Sequence, residues 1–400
     1  MHNNDRLRAL ALRHRELAES PMMESRRNAW RALHDLKPIR PVCIFETELL
    51  SDFIAPAELT CDTLETRALE ERLLHGVKHV ENIDDDYVLE PFFTAPLLLD
   101  TQPHDYGVGL EYISNPVTHA VVPNHPLREP EDIAKLKKRI HTYDNAKNQS
   151  NRAIIQEMIG KCLPVILQYS PGVLPQISKY TFDLIGMDSM YYWAIDCPEV
   201  ITKLADYVAD DFLERYRLME RERLLNVNNK NTYAGAGSLG YVSDLKEENP
   251  TTLSNMWVWM ESQETETLSP DMLEALFLPA MGRVASEFGI VYYGCCERLH
   301  DRMDRIFRHI RNIRAVSVSP WSNVDKMAEM LDNKMVFSRK LNPVHITSDL
   351  VWEEIDKDID HVMRAMPSGL VEFIYRNVYA IGGDMGKIQS CMQRIKAKIQ

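Results

Sequence analysis

The chain has 400 residues, 45% hydrophobic and 26% charged, the usual balance of a soluble globular protein and enough length for a large α/β barrel or two to three smaller domains. Its net charge of −13, from 46 basic and 59 acidic residues without a basic stripe, argues against nucleic acid or an anionic membrane surface as the main partner. Seven cysteines without regular spacing, a charged N-terminus and no run near about 20 apolar residues predict reduced thiols in a cytoplasmic protein without a membrane span.

Residues 1–35 alternate charge with Leu and Ala at helical spacing, and "LRALALRHRELAES" reads as an amphipathic helix. "RPVCIFETELL" (40–50) follows as a short extended piece. "TCDTLETRALEERLLHGVKHV" is a second helical pattern, with Asp62 or Thr63 as its cap. Residues 1–85 are therefore expected to form an N-terminal helical extension, and 86–400 the catalytic domain.

Beyond that point short β-rich runs alternate with helical stretches. The runs are 87–95, 164–170, 231–237, 255–262, 289–296, 314–320, 334–340 and 370–378. Eight such alternations predict a (β/α)8 TIM barrel, with 231–237 the weakest strand because of its two glycines. "SPDMLEALFLPAMGRVASEF" reads as one helix with Ser269 as cap and Pro270 at its first position. The spacer 97–162 is too long for a plain crossover. "VGLEYISNPVTHAVV" within it predicts an inserted hairpin near the barrel mouth.

Barrel active sites lie at the C-terminal strand ends. Those ends are "QYSPG" (168–172), "MESQETE" (260–266), "GCCERLH" (294–300), "SPWSN" (319–323), "SRKLNP" (338–343) and "YRNV" (375–378). They are polar and nucleophilic, whereas the strand bodies before them are apolar. Period-2 alternation puts Cys296 in phase with Tyr292, Cys295 with Tyr293, and Glu261 with Trp257 and Trp259, so only one thiol of the pair is expected to point into the barrel.

Thiolate and carboxylate converging at an open mouth suit zinc, with Cys295, Cys296 and Glu261 as candidate ligands. Glu261, Glu264 and Glu297 are candidate catalytic carboxylates. Gln168, Trp321, Lys340 and Arg376 are candidate substrate-binding residues, the last two for a carboxylate or phenolate. Each has a structural alternative: buried core thiols, a solvated acidic loop capping the next helix, or ion pairs of Lys340 and Arg376 with Glu261 or Glu297 across the mouth. His300 is a weaker ligand candidate on the following helix.

The segments "FDLIGMDSMYYWAIDCPEVITKLADYVADDF" (182–212) and "WMESQETETLSPDMLEALFLPAMGRVASEFGIVYYGCCE" (259–297) resemble the uroporphyrinogen decarboxylase superfamily. The likeness runs from about residue 40 to the end. The Arg-rich motif of the decarboxylase branch is not found; "RPVCIFETELL" stands in its place. The resemblance is closer to the cobalamin-linked methyltransferases, whose zinc motif is His-x-Cys at the fifth strand with a further Cys near the last. Cys295 or Cys296 matches the first Cys, but Tyr293 or Gly294 stands where the His would be, and "YRNVYAIGGD" holds no Cys.

That likeness implies a methyltransferase of a corrinoid-dependent demethylation system. It would move a methyl group from a small O-methyl or N-methyl compound to a corrinoid protein. No Asp-x-His-x-x-Gly stretch is present, so the cobalamin is expected on a partner. A homodimer is also expected. The alternatives are a metal-independent decarboxylase or lyase acting on a carboxylated substrate, and a non-catalytic barrel binding a tetrapyrrole or a partner protein.

Overall fold

The computed structural model describes residues 3–114, 121–169, 173–347 and 349–399. The chain opens with two helices, α1 (Asn3–Ala18) and α2 (Pro21–His34), the second capped by Ser20 with Pro21 at its start. Strand β1 (Val42–Phe45) follows, then α3 (Leu64–Asn82), capped by the Thr63 hydroxyl. Strands β2 (Phe93–Pro96), β3 (Asp100–Gln102), β4 (Tyr112–Ser114), β5 (Val121–Pro123) and β6 (Ile140–Thr142) precede α4 (Asn145–Ile159) and β7 (Val165–Gln168). Helices α5 (Ile177–Asp196) and α6 (Pro198–Arg221) lead to β8 (Tyr233–Gly235), β9 (Ser238–Leu239), β10 (Trp257–Met260), β11 (Ile290–Tyr293), β12 (Ile313–Val318), β13 (Val336–Leu341) and β14 (Val371–Tyr375).

The main sheet is parallel and six-stranded, in the order β1-β14-β13-β12-β11-β10. β2 and β7 form a separate parallel pair. Among the described residues the expected closed barrel is therefore not present as a continuous hydrogen-bonded sheet. Its strand membership also differs from expectation. Val42–Phe45, expected within the helical extension, pairs along its whole length with β14. The stretch 231–237 instead forms an antiparallel hairpin with β9.

The glycines of that hairpin explain the change. A Cβ on Gly235 would stand 1.9 Å from the Tyr292 ring, so only a bare backbone can lie against β11 there.

Side chains and loop backbone satisfy groups at the open strand edges. The Cys43 and Phe45 amides each donate at 2.9 Å, to the Asp86 and Asp85 carboxylates. On β10, Asn228 exchanges two hydrogen bonds with the Trp257 backbone, and the Trp259 amide donates to the Val173 carbonyl at 2.8 Å. Asn226 donates to the Leu167 carbonyl of β7 at 2.6 Å.

A smaller apolar core joins Leu7 and Leu10 of α1, Leu69 and Leu73 of α3, Ile159, Phe93 and Val165. The larger one holds the main sheet and its covering helices. The helix expected over 269–288 is two, Pro270–Leu276 and Leu278–Ala285. They break at Phe277, just before Pro279, which has no N–H to continue the ladder. The expected hairpin is present as β4 and β5, although its turn lies outside the described residues. Tyr112 on it hydrogen-bonds Asp183 of α5 at 2.7 Å.

Candidate functional site at the C-terminal strand ends

Strand β11 stops at Tyr293 because Gly294 takes φ +96, a left-handed turn that an L side chain rarely adopts. A Cβ there would also lie 2.7 Å from Leu299. Alternation ends at this glycine, and the two following sulfurs lie side by side, Cys295 Sγ 3.6 Å from Cys296 Sγ. The expectation that strand phase would separate the thiols does not hold for this reason. Ser317 of β12 donates to the Cys295 carbonyl at 2.6 Å and fixes the turn.

Three carboxylates gather at the ends of β10 and β11, with Glu297 nearest the thiols. Glu297 is buried, and its two oxygens accept the Cys295 amide at 2.8 Å and the Ser262 amide at 3.1 Å, tying the ends of β11 and β10 together. Burial pushes its pKa up to about 7 despite those amides. Glu261 is buried too. One of its oxygens accepts the Gln263 amide at 2.9 Å, and Oε1 has no partner among the described residues. Burial, then the neighbouring Glu264 and Glu297, raises its pKa well above the carboxylate range. Glu264 is half-buried and accepts the Ser178 hydroxyl of α5 at 2.7 Å. The residues after Met260 leave the strand, and Gln263–Thr265 form a short helical turn.

Cationic and amide groups flank the sulfurs on the other side. Asn377 Nδ2 donates to Cys296 Sγ at 3.4 Å. The hydrogen bond with Cys295, and then Arg376, bring the Cys296 thiol down to about 6. The same bond pushes Cys295 up. Arg376 Nε lies 3.2 Å from Glu46 Oε2, and the guanidinium stands 5.7 Å from the Trp259 ring centroid. Its partner is thus Glu46, not the Glu261 or Glu297 considered from sequence. Nη1 of Arg376 has no partner among the described residues.

Lys340 is buried below the strand ends, donating to Tyr292 at 2.8 Å and to Ser338. Burial lowers it to about 7. It therefore belongs to an interior hydrogen-bond layer and, among the described residues, forms no ion pair across the mouth.

Two candidates fall outside this cluster. Gln168 gives its side-chain amide to Thr232 at 2.6 Å, and Trp321 is 66% exposed. The remaining strand-end residues of that stretch, 170–172, lie outside the described residues. His300 sits in the turn before the helix Met303–His309, where its Nδ1 accepts the Asn323 amide.

Sequence reasoning missed Glu46 and Asn377. Glu46 directly follows β1, so the strand-end rule would have found it had Val42–Phe45 been counted as a strand of the sheet. Asn377 adjoins Arg376 in the quoted "YRNV".

Among the described residues, no three His, Cys, Asp or Glu side chains converge to hold a metal ion. Two thiolates on a tetrahedral zinc at about 2.3 Å would stand about 3.8 Å apart, close to the observed sulfur spacing. The third ligand is what fails: Glu297 is committed to two backbone amides, and Glu261 does not join the sulfurs as a ligand set. Among the described residues the expected zinc set of Cys295, Cys296 and Glu261 is not assembled.

No helix among the described residues is long and apolar enough to cross a membrane. No protein-family model matches the chain, and no curated protein matches it. Among solved structures, a methyltransferase from Methanosarcina mazei is similar over 93% of this chain and 97% of its own, at 14% identity and a TM-score of 0.44. That likeness is too distant to carry a fold or an activity to this chain.

Proposed function

We propose that the chain is a methyltransferase of the uroporphyrinogen decarboxylase superfamily. It takes a methyl group from a small O-methyl or N-methyl compound and delivers it to cobalamin on a partner corrinoid protein. In this reading the two parallel sheets are arcs of one eight-stranded barrel. Its two seams are bridged by Asp85 and Asp86 on one side, and by Asn226 and Asn228 on the other. The strand ends where the thiols and carboxylates gather are the mouth.

The observation that carries the reading is Glu261. It is buried beside two other carboxylates, which favours its protonated form, and its Oε1 has no partner among the described residues. An ether oxygen losing its methyl group leaves as an alkoxide or phenolate, which is a poor leaving group unless protonated. A neutral carboxylic acid is the proton donor this step needs. Arg376, whose Nη1 has no partner among the described residues, would orient a carboxylate or phenolate on the substrate. The partner's reduced cobalamin would supply the nucleophile that accepts the methyl group.

The test is methyl transfer to free cob(I)alamin, followed by absorbance, with a panel of O-methyl aromatic and N-methyl compounds. Transfer should occur, and Glu261→Gln should reduce it by about a hundredfold or more while leaving the thermal midpoint close to wild type. Unchanged transfer in Glu261→Gln sinks the acid assignment. No transfer, with carbon dioxide released from a carboxylated panel, would favour the decarboxylase reading, for which Arg376 is the group of interest.

A further inference from the structure

A cavity lies away from the thiols. It runs beside β7 on the side opposite β2 and has a volume of about 630 Å³, within the size range of small-molecule sites. The edge of β7 is open here because, among the described residues, the strand has no neighbour on that side. The side chains of Gln156, Arg152 and Asn226 take up some of its backbone groups in place of a strand.

The walls differ in chemistry. Half-buried Ile166 and Leu167 supply an apolar floor, and Phe92 and Tyr143 supply aromatic faces. Three cations face the same space. Lys230 stands 5.7 Å from the Phe92 ring centroid and 3.5 Å from Glu247. Arg152 is held by Gln149 at 3.0 Å and has no carboxylate partner among the described residues. Arg223 has none either, and its backbone takes φ +59 just after α6, which turns the chain towards the cavity-lining segment.

We propose that this cavity binds a small organic anion with an apolar, preferably aromatic, body. The body would lie along β7 against Phe92 and Tyr143, and Arg152 and Arg223 would meet the anionic head. Guanidinium groups suit carboxylate, sulfonate and phosphate heads alike, so the shared chemistry is an apolar-bodied anion. Bare inorganic anions leave the apolar floor unused, and neutral aromatics leave both guanidinium groups unused. Neither is expected to bind well. Gln168 lines the cavity and also holds Thr232, which leads into β8 at Tyr233. The inference does not depend on the methyltransferase reading.

The probe is 1-anilinonaphthalene-8-sulfonate, an aromatic anion whose fluorescence rises in apolar surroundings, titrated into the full-length protein. One dye per chain is expected. Arg152→Glu and Arg223→Glu should each weaken it about tenfold or more. Cys296→Ser should leave binding unchanged, because the thiols are elsewhere. The uncharged analogue N-phenyl-1-naphthylamine should bind at least about tenfold more weakly. Benzoate and phenyl phosphate should both displace the dye, and whichever does so at lower concentration identifies the head group. Dye binding that ignores both arginine substitutions, that is lost in Cys296→Ser, or that is matched by the uncharged analogue overturns the proposal. Displacement by inorganic phosphate as readily as by phenyl phosphate overturns it as well.

Discussion

Asn377 points its side-chain amide at the Cys296 sulfur from 3.4 Å, across the junction where the ends of β11 and β14 face each other. A donor there favours the thiolate over the thiol, and Cys295 and Arg376 act in the same direction. Cys296 is therefore expected to alkylate with iodoacetamide along a pH profile with a midpoint near about 6. Cys295→Ser removes the largest cause and should move the midpoint upward. Asn377→Ala should move it less, in the same direction. Mass spectrometry of the peptide carrying Cys296 reads the rate at each pH. A midpoint that stays near an ordinary thiol's in wild type contradicts the arrangement.

Gly294 makes the thiol pair possible, and replacing it should be costly. Its φ of +96 is unfavourable for an L residue, and the added Cβ would meet Leu299 at 2.7 Å and Ser317 at 3.2 Å. Gly294→Ala should destabilise the protein by about 1–3 kcal/mol. Urea unfolding should register this, and the Cys296 alkylation profile should change with it as the turn is displaced. Gly383, at φ +73 with no atom within 4 Å of where a Cβ would stand, serves as the control in which only the backbone preference is lost.

These two residues mark how far sequence reading reaches. Runs such as "GIVYYG" and "LVEFIY" carry enough β-branched and aromatic character to identify strands directly, and strand ends rich in Cys, Glu and Arg pointed to residues that the structure brings together at the ends of β10, β11 and β14. Val42–Phe45 did not stand out, because four apolar residues beside a helical region look like a connector until β14 is known to lie next to them. Missing that strand concealed Glu46, and with it the partner of Arg376. The 231–237 run has strand composition, yet Gly235 is there for close approach to Tyr292, a long-range contact. The grouping of Cys295 with Cys296 depends on the φ of one glycine, which strand phase ignores.

Glu297 has two roles that can be separated by pH. Its pKa of about 7 in the folded chain stands above the ordinary 4.5, so between those values the folded state binds more protons than the unfolded one. Its contribution therefore declines as pH rises from about 4.5 to about 7. Glu297→Gln should flatten that part of the stability profile. It should also lower stability by about 1–3 kcal/mol near neutral pH, because one amide oxygen cannot accept from both Cys295 and Ser262. Urea midpoints at several pH values test both effects. A variant profile parallel to wild type across this range would remove Glu297 as the titrating group.

Lys340 should give the opposite slope above neutrality. Burial against Tyr292 and Ser338 lowers its pKa from 10.5 to about 7, so between these values the unfolded chain binds a proton that the folded chain does not. Stability attributable to this group rises with pH through that window and is least below about 7, where a charged ammonium must be kept in the interior. Lys340→Met conserves most of the volume and removes the charge. Its stability should be nearly independent of pH between about 7 and 10, whereas wild type should gain over the same interval. At pH 6 the variant should equal or exceed wild type, since a buried charge has been replaced by an apolar side chain of similar length. Tyr292→Phe, which removes one acceptor and keeps the lysine, should retain the slope, so the pair of variants assigns it to the ammonium and not to the phenol.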